Sequence, residues 1–204
     1  MTTHHVRQRG DTIIEVLVAI TIFSMIAVGA LMLMNKGSAM AQRSLEVTLV
    51  RQQIDTQADL LRMIHSAYVN DPARTDGPGA QWSRVTGNAY TSGSVPALDN
   101  PTDCPTAMPR SFVVARTSPG ATTLAVEQFS TVPAAVVYSR VDVNRDVVSR
   151  PLAAEGLWVQ AVRIPPSNPA TGVVAYDLYI RACWESVGDA RPMTLGTIVR
   201  LYEP

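Results

Sequence analysis

Residues 10–34 read GDTIIEVLVAITIFSMIAVGALMLM, and this stretch decides the fold of the N-terminal part of the chain. No charged residue occurs from Val16 to Met34, a run of nineteen residues. At a helical rise of about 1.5 Å per residue the run is roughly 30 Å long, the thickness of a bilayer core. The pattern therefore predicts a helix that crosses a membrane.

The charges on either side of the run indicate its orientation. Arg7 and Arg9 precede it with no acid among residues 1–10, and Lys36 follows it. Because positive charge is retained on the cytoplasmic side, we expect a cytoplasmic N terminus with the rest of the chain outside. A secretory signal peptide fits poorly, since no A-x-A pattern follows Met34.

Glu15 is an acid at the start of this apolar stretch. An ionised carboxylate at the centre of a bilayer costs about 2.5–3.5 kcal/mol, so an acid in a membrane helix is a functional hypothesis by default. Two interpretations stay open from its position. Either Glu15 lies near the interface and reaches water, or it has a partner that the monomer does not supply.

The residues around Glu15 form a specific motif. A short basic leader, MTTHHVRQR, precedes Gly10, and Glu15 follows that glycine by five positions. Together with the uncharged run, they resemble the N-terminal signature of type IV pilins and pseudopilins over residues 5–34. The resemblance implies that a prepilin peptidase cuts between Gly10 and Asp11, and that Asp11 becomes the N-methylated first residue.

The same resemblance implies a role for Glu15. In the family, this glutamate pairs with the N-terminal amine of a neighbouring subunit in the filament, so the two charges meet only between chains. The sequence departs from the family in having Asp11 where phenylalanine or methionine is usual. It also lacks the proline that many pilins carry inside the apolar helix.

The helix is predicted to continue beyond the apolar run as an amphipathic segment from Ser38 to Val69. Proline disfavours the helical conformation in the residue before it, so Asn70-Asp71-Pro72 ends the segment. One helix of about 55 residues is therefore expected. Its apolar positions recur mostly at spacings of three, four or seven residues: Leu45, Leu49, Ile54, Leu61, Ile64 and Tyr68.

Short β-rich runs separated by turn signals dominate the last part of the chain. In VVAYDLYIRAC, residues 173–183, apolar side chains alternate, which predicts a strand with one buried face and with Asp177 and Arg181 on a wet face. The predicted strands are Phe112–Arg116, Thr122–Gln128, Ala134–Val141, Leu157–Ile164, Val173–Cys183 and Thr194–Tyr202.

A helix followed by strands indicates an α+β fold, with a long N-terminal helix and a C-terminal antiparallel sheet. Trp82 and Tyr90 are expected to hold a long Pro/Gly/Ser-rich loop against the body, with exposed ligand contacts as the alternative. We divide the chain into a cleaved leader, an apolar membrane or filament-core helix, its amphipathic continuation, the loop and the β domain: 1–10, 11–36, 37–70, 71–110 and 111–204.

The two cysteines, Cys104 and Cys183, are 79 positions apart and form no CxxC pair. A metal site is therefore unsupported. Because the domain is expected outside the membrane, where disulfides persist, we predict a bond between them. The alternative is two free thiols.

Catalysis, cofactors and metals find little support in the sequence. P-loop, G-x-S-x-G and H-E-x-x-H motifs are missing, and His65 is the one histidine beyond the leader. Asp142, Asn144 and Asp146 have the spacing of a calcium loop, but Val147 and Ala153 replace its glycine and glutamate, which favours a polar turn. We predict a non-enzyme without a cofactor or a bound metal.

The charge of the chain limits the kinds of partner that we expect. The chain has 17 basic and 17 acidic residues, and its arginines are scattered among acids, so nucleic acid is not an expected partner. The resemblance implies other pilin subunits, a prepilin peptidase and an inner-membrane assembly platform as partners. The leading hypothesis is a minor pilin for adhesion or motility, anchored by a single membrane span and then extracellular. The alternatives are a pseudopilin of type II secretion, a competence pilin, and an uncleaved membrane-anchored receptor or adhesin.

Overall fold

The computed structural model separates the chain into two compact units, Met1–Gln42 and Arg43–Pro204. Helix α1 contributes to both units, and all the strands belong to the second. The residues that the structure describes are 11–91, 95, 102–116, 123–141, 154–166, 172–186, 188–189 and 191–203.

Helix α1 runs from Asp11 to Asn70, 60 residues, and confirms the single long helix predicted from the sequence. The helix ends where expected, because Asp71 N donates the last helical bond to Ala67 O and Pro72, which follows, has no N–H.

An antiparallel sheet forms the body of the second unit, and the α+β class is confirmed. Its strand order is β2-β1-β5-β6-β7, and β3 and β4 make a separate two-stranded ribbon. The elements after α1 are α2 Gly77–Ala80, α3 Trp82–Gly87, β1 Ala107–Arg116, β2 Leu124–Thr131, β3 Arg140–Val141, β4 Ala154–Glu155, β5 Leu157–Ile164, β6 Val174–Trp184 and β7 Met193–Glu203.

The second half of α1 packs its apolar stripe against one face of this sheet. The stripe and the inward side chains of the central strands β5 and β6 form one core cluster. Burial of this stripe holds the helix on the sheet, since an isolated amphipathic helix gains most of its stability from such packing. The buried apolar residues of the stripe are Val50, Ile54, Ala58, Leu61 and Ile64.

The sheet is split between β1 and β5, which pair only at Ser111–Gln160 and Phe112–Val159. On the β1 side, the buried Gln57 of α1 donates from Nε2 to Val114 O and accepts from Val114 N, each at 2.9 Å. A side-chain amide thus replaces the missing strand partner. On the β5 side, Tyr90 forms a short parallel bridge with Val162.

The predicted strand Ala134–Val141 is wrong except for its last two residues, Arg140–Val141. The preceding segment is held by single contacts: Ala135 bridges Trp184, and Ser139 Oγ donates to Cys183 O at 3.0 Å. Gly156 lies against it with φ of +60°, where a Cβ would collide with Cys183 O. Sequence pattern alone did not separate such a segment from a strand.

The wet face predicted for β6 is also wrong at Asp177, which is buried. Strand β7 brings Arg200 opposite Asp177, and Arg200 donates two bonds of 2.6 Å from Nε and Nη2 to the carboxylate. These hydrogen bonds, and then the charge of Asp177, raise the pKa of the Arg200 guanidinium. Arg181 is half-buried, with its guanidinium carbon 5.2 Å from the centre of the Tyr179 ring.

Candidate functional site

The predicted cleavage position lies at the first residue of α1. Asp11 begins the helix, and Gly10 and the rest of the leader lie outside the described residues. For Asp11 the structure gives the helical backbone. Acids near a helix N terminus are favoured by the helix dipole, so this sequence is compatible with a helix that begins there.

Glu15 lies in the second turn of α1, and its side chain is exposed. Within the described part of the chain, none of the ion pairs includes it. Its neighbours Ile14 and Val16 are apolar and exposed at 65% and 55%. The carboxylate therefore lies between exposed apolar neighbours and has no cation from its own chain among the described residues.

The surface that follows Glu15 is apolar on all sides of the helix. Phe23 is 72% exposed and Met25 is 80% exposed, and the other large side chains between Val16 and Met34 are exposed as well. A helix that is apolar all round belongs in a protein core or in a membrane. Within the described residues, α1 is the helix long and apolar enough to cross a membrane.

The polar side chains inside the apolar run are satisfied by the helix itself. Thr21 Oγ1 donates to Val18 O at 2.8 Å, and Ser24 Oγ donates to Ile20 O at 2.7 Å. Backbone and hydroxyl groups of this segment therefore need no water, which is the condition for burial in lipid or in a bundle of helices.

The disulfide between Cys104 and Cys183 is present, with the two Cα atoms 5.6 Å apart. Cys183 is fully buried in β6 and packs with Met108 and Trp158 in a second cluster, separate from the main core. The bond thus attaches the segment that precedes β1 to a central strand of the sheet. It covers the C-terminal end of the face of β6 that the sequence predicted to be wet.

Two buried polar residues of α1, Glu46 and Gln57, are not predicted from the sequence. Glu46 accepts from Trp184 Nε1 at 3.1 Å and from Ser186 Oγ at 2.6 Å, and Gln57 bonds the backbone of β1. Both lie on the apolar stripe of the helix, Glu46 four positions before Val50. A polar residue at a stripe position was the signal that could have revealed them.

Trp82 is buried in the core, as expected for a residue that holds this segment against the body, and it lies at the centre of an aromatic cluster. Its indole N–H donates to Glu203 Oε1, and its ring lies 4.8 Å from His65 and 5.8 Å from Tyr176 between centroids. His65 Nε2 lies 3.0 Å from Tyr202 O. These contacts give His65 a structural environment rather than a ligand one.

A polar pocket of about 280 Å³ lies near the disulfide; its lining includes Asp103, Glu185 and Asp189. Among the described residues no group of three or more His, Cys, Asp or Glu side chains is arranged to hold a metal ion. The calcium-like spacing at residues 142–146 lies outside the described residues. No constellation of catalytic groups is apparent in the part of the chain that the structure describes.

The long helix followed by a five-stranded antiparallel sheet is a pilin-like α+β architecture. Residues 6–31 match the family model described as the prokaryotic N-terminal methylation motif. The match covers Gly10, Asp11, Glu15 and most of the apolar run, and it supports the resemblance to type IV pilins and pseudopilins. No curated protein matches the chain, and no solved structure matches it.

Three conclusions follow from the motif. It points to a structural protein rather than an enzyme, and it implies processing by a prepilin peptidase and assembly with other pilin subunits. Together with the apolar helix, it fits a chain that is first anchored in a membrane and then built into a filament.

Proposed function

We propose that the chain is a minor pilin, a structural subunit of a type IV pilus-like filament that serves adhesion or motility. The observation that carries this proposal is Glu15, a carboxylate five positions after Gly10 in an exposed apolar helix, without a cation from its own chain among the described residues. A lone acid of this kind is costly in a plain anchor and useful in a polymer.

Assembly would begin with a precursor held in the inner membrane by the apolar half of α1, with the leader in the cytoplasm. The prepilin peptidase cuts between Gly10 and Asp11, and Asp11 becomes the N-methylated first residue. An assembly platform then moves the subunit from the membrane into the filament. The exposed apolar side chains exchange lipid for neighbouring helices, so the helix does not pass through water.

Glu15 supplies specificity in this scheme. An unpaired charge in an apolar medium costs several kcal/mol, and pairing with the amine of Asp11 on a neighbouring subunit offsets part of that cost. Since the amine exists only after cleavage, an unprocessed chain cannot make the pair. The contact also sets the axial position of one subunit relative to the next.

Mass spectrometry of the mature chain tests the processing step. We expect Asp11 as the first residue, carrying one added methyl group, in chains recovered from filaments. A Gly10→Leu variant should keep its leader, because a bulky side chain hinders close approach of the peptidase to the backbone. An intact leader on the wild-type chain would overturn the proposal and favour an uncleaved membrane-anchored receptor.

A substitution at Glu15 tests the assembly step separately. Glu15→Ala should be cut like wild type but recovered poorly in filaments, since the amine of the neighbour then has no partner. Ser24→Ala is the matched control, because it also removes a polar side chain from the apolar run. Equal incorporation of wild type and Glu15→Ala would refute the role given to this carboxylate.

Location separates the pilin from its nearest alternatives. Recovery of processed chains in filaments sheared from the cell surface supports the pilin. Processed chains that stay in the envelope would instead identify a pseudopilin of type II secretion. Salt-dependent DNA binding by surface filaments would favour a competence pilin.

A further inference from the structure

Strand β7 forms one edge of the five-stranded sheet, and neighbouring hydrogen bonds show which of its backbone groups point away from the sheet. Tyr90 N donates to Ala161 O and Arg163 N donates to Tyr90 O, each at 2.8 Å. The backbone groups of Ala161 and Arg163 in β5 therefore point away from β6. Because the direction alternates along an antiparallel strand, Val162 between them bonds to its partner in register, Asp177 of β6.

The same alternation continues into β7. The backbone N–H and C=O of Asp177 point toward β5. Arg200, its partner on β7, therefore directs its own backbone N–H and C=O away from the sheet. The contact of His65 Nε2 with Tyr202 O, two residues further on, agrees with this direction. The residues of β7 whose backbone groups point outward are therefore Thr194, Gly196, Ile198, Arg200 and Tyr202.

The side chains of these five residues are also exposed. In the described part of the chain, the contact of His65 with Tyr202 O is the one hydrogen bond from outside the sheet to their outward groups. The opposite edge of the sheet differs. There Val126 N of β2 donates to Gln81 Oε1 at 3.2 Å, and Gln128 Nε2 donates to Arg84 O at 2.9 Å, so the segment of α3 covers the edge.

Strand β7 also lacks the features that usually protect an open edge. Its eleven residues, MTLGTIVRLYE, contain neither proline nor lysine. Its two charged side chains have partners within the chain, since Arg200 binds Asp177 and Glu203 binds Trp82. A long edge of this kind is suited to pairing with another strand.

We propose that β7 pairs antiparallel with β7 of a second copy of this chain, with Ile198 of one copy opposite Ile198 of the other. A second copy of the chain is the partner we propose, because the sequence of β7 is complementary to itself in the antiparallel direction. In this register Thr194 faces Tyr202 and Gly196 faces Arg200, so small residues oppose large ones and the two arginines never oppose each other.

The neighbouring strands agree with this register. Tyr179 of β6 lies beside Ile198, so the central row across the joined sheet runs Tyr179, Ile198, Ile198, Tyr179. Ile198 is 57% exposed in the single chain and is covered by its copy in the pair. Cross-strand pairs of apolar side chains are the unit of stabilisation in a sheet.

Such a contact is additional to filament assembly and does not rest on it. A two-fold interface uses the same patch on both chains and closes on itself, whereas a helical filament needs head-to-tail contacts. The β7 pair therefore joins chains that are not neighbours along one filament. Two subunits before assembly or two filaments side by side both satisfy this condition.

Disulfide trapping of the full chain in detergent tests the pair. Cα atoms of directly opposed, hydrogen-bonded residues lie about 5.5 Å apart, within the range of about 4.4–6.8 Å that a disulfide spans. Ile198→Cys should therefore form a covalent dimer on oxidation, with residue 198 linked to 198. Tyr202→Cys is the matched control, since Tyr202 is exposed to the same 57%. Its two copies should lie roughly 27 Å apart at about 3.3 Å per residue, and we expect no dimer.

A mixture tests the register independently of helix association in the detergent. Thr194→Cys and Tyr202→Cys chains should each give no cross-linked dimer alone and form a cross-linked heterodimer when mixed. Ile198→Lys added to the Thr194→Cys chain should abolish that heterodimer while the thermal unfolding of the C-terminal unit stays unchanged. No dimer from Ile198→Cys, or an equal dimer from Tyr202→Cys alone, would overturn the proposal.

Discussion

Helix α1 has an N-terminal half whose large apolar side chains are exposed and a C-terminal half that buries an apolar stripe against the sheet. Leu31 is 62% exposed, whereas Leu61 is 0% exposed. Both residues lie in one continuous α-helix, so helix propensity does not separate them. The second half is therefore held by the sheet of its own chain, while the apolar surface of the first half requires surroundings outside the chain, either lipid or other helices.

The largest effect expected from this comparison is at Leu61. Leu61→Ala should lower the free energy of unfolding of the C-terminal unit by about 2–5 kcal/mol, because it leaves a cavity in the core. Leu31→Ala, the same change at an exposed position of the same helix, should change it by less than about 0.5 kcal/mol.

Denaturant unfolding of the full chain in mild detergent measures both variants. Tryptophan fluorescence reports the C-terminal unit alone, because Trp82, Trp158 and Trp184 all lie in it. Similar losses at positions 31 and 61 would show that the two halves of α1 unfold together and would remove the distinction between them.

The disulfide belongs to the second unit and should give the next effect. Replacing Cys104 and Cys183 by serine should cost about 2–4 kcal/mol of unfolding free energy, since a long loop is then unconstrained in the unfolded chain. A reducing agent should lower the stability of the wild-type chain by a similar amount and leave the double variant unchanged. A further drop in the variant would mean that the reductant acts elsewhere.

A substitution at Gln57 tests how the sheet is stabilised where β1 and β5 separate. Gln57→Ala should cost about 1–3 kcal/mol, because Val114 N–H and C=O then lie buried without partners. Gln52→Ala, at an exposed position of the same helix, is the matched control and should be nearly neutral. If both variants behaved alike in denaturant, the gap beside β1 would be filled in some other way.

Local signals explain the parts of the fold that the sequence predicted. The end of α1 follows from Pro72, and β5 has the predicted bounds Leu157–Ile164 because turn residues lie on both sides of an apolar run. The motif around Gly10 and Glu15 is equally local, since all its parts lie within one short stretch. The disulfide could be predicted because only two cysteines were available.

The misses share a different cause, which is distance along the chain. Glu46 meets Trp184, 138 residues later, and Gln57 meets Val114, 57 residues later. Periodicity marks a stripe position as buried but does not say which polar group lies opposite. The burial of Asp177 is missed for the same reason, because its partner Arg200 comes from the next strand.

The weakest of these effects is the dependence of the unfolding free energy on pH through Tyr176. Tyr176 of β6 is buried in the C-terminal unit, and its pKa is raised by burial first and by the charge of Glu203 second, with Arg163 opposing. The folded chain therefore retains the phenol proton at pH values where the unfolded chain has lost it. Stability from this group is complete below about pH 10 and declines as pH rises through the folded pKa.

Tyr176→Phe should weaken that alkaline decline, because phenylalanine has no proton to lose. Unfolding free energies of wild type and variant at about pH 8 give the effect of the missing hydroxyl on packing and hydrogen bonding alone, since the phenol is protonated in both states there. The gap between the two chains should then shift in favour of the variant as pH rises above about 10. A gap that stays constant across this range would mean that Tyr176 does not couple proton loss to unfolding of the C-terminal unit.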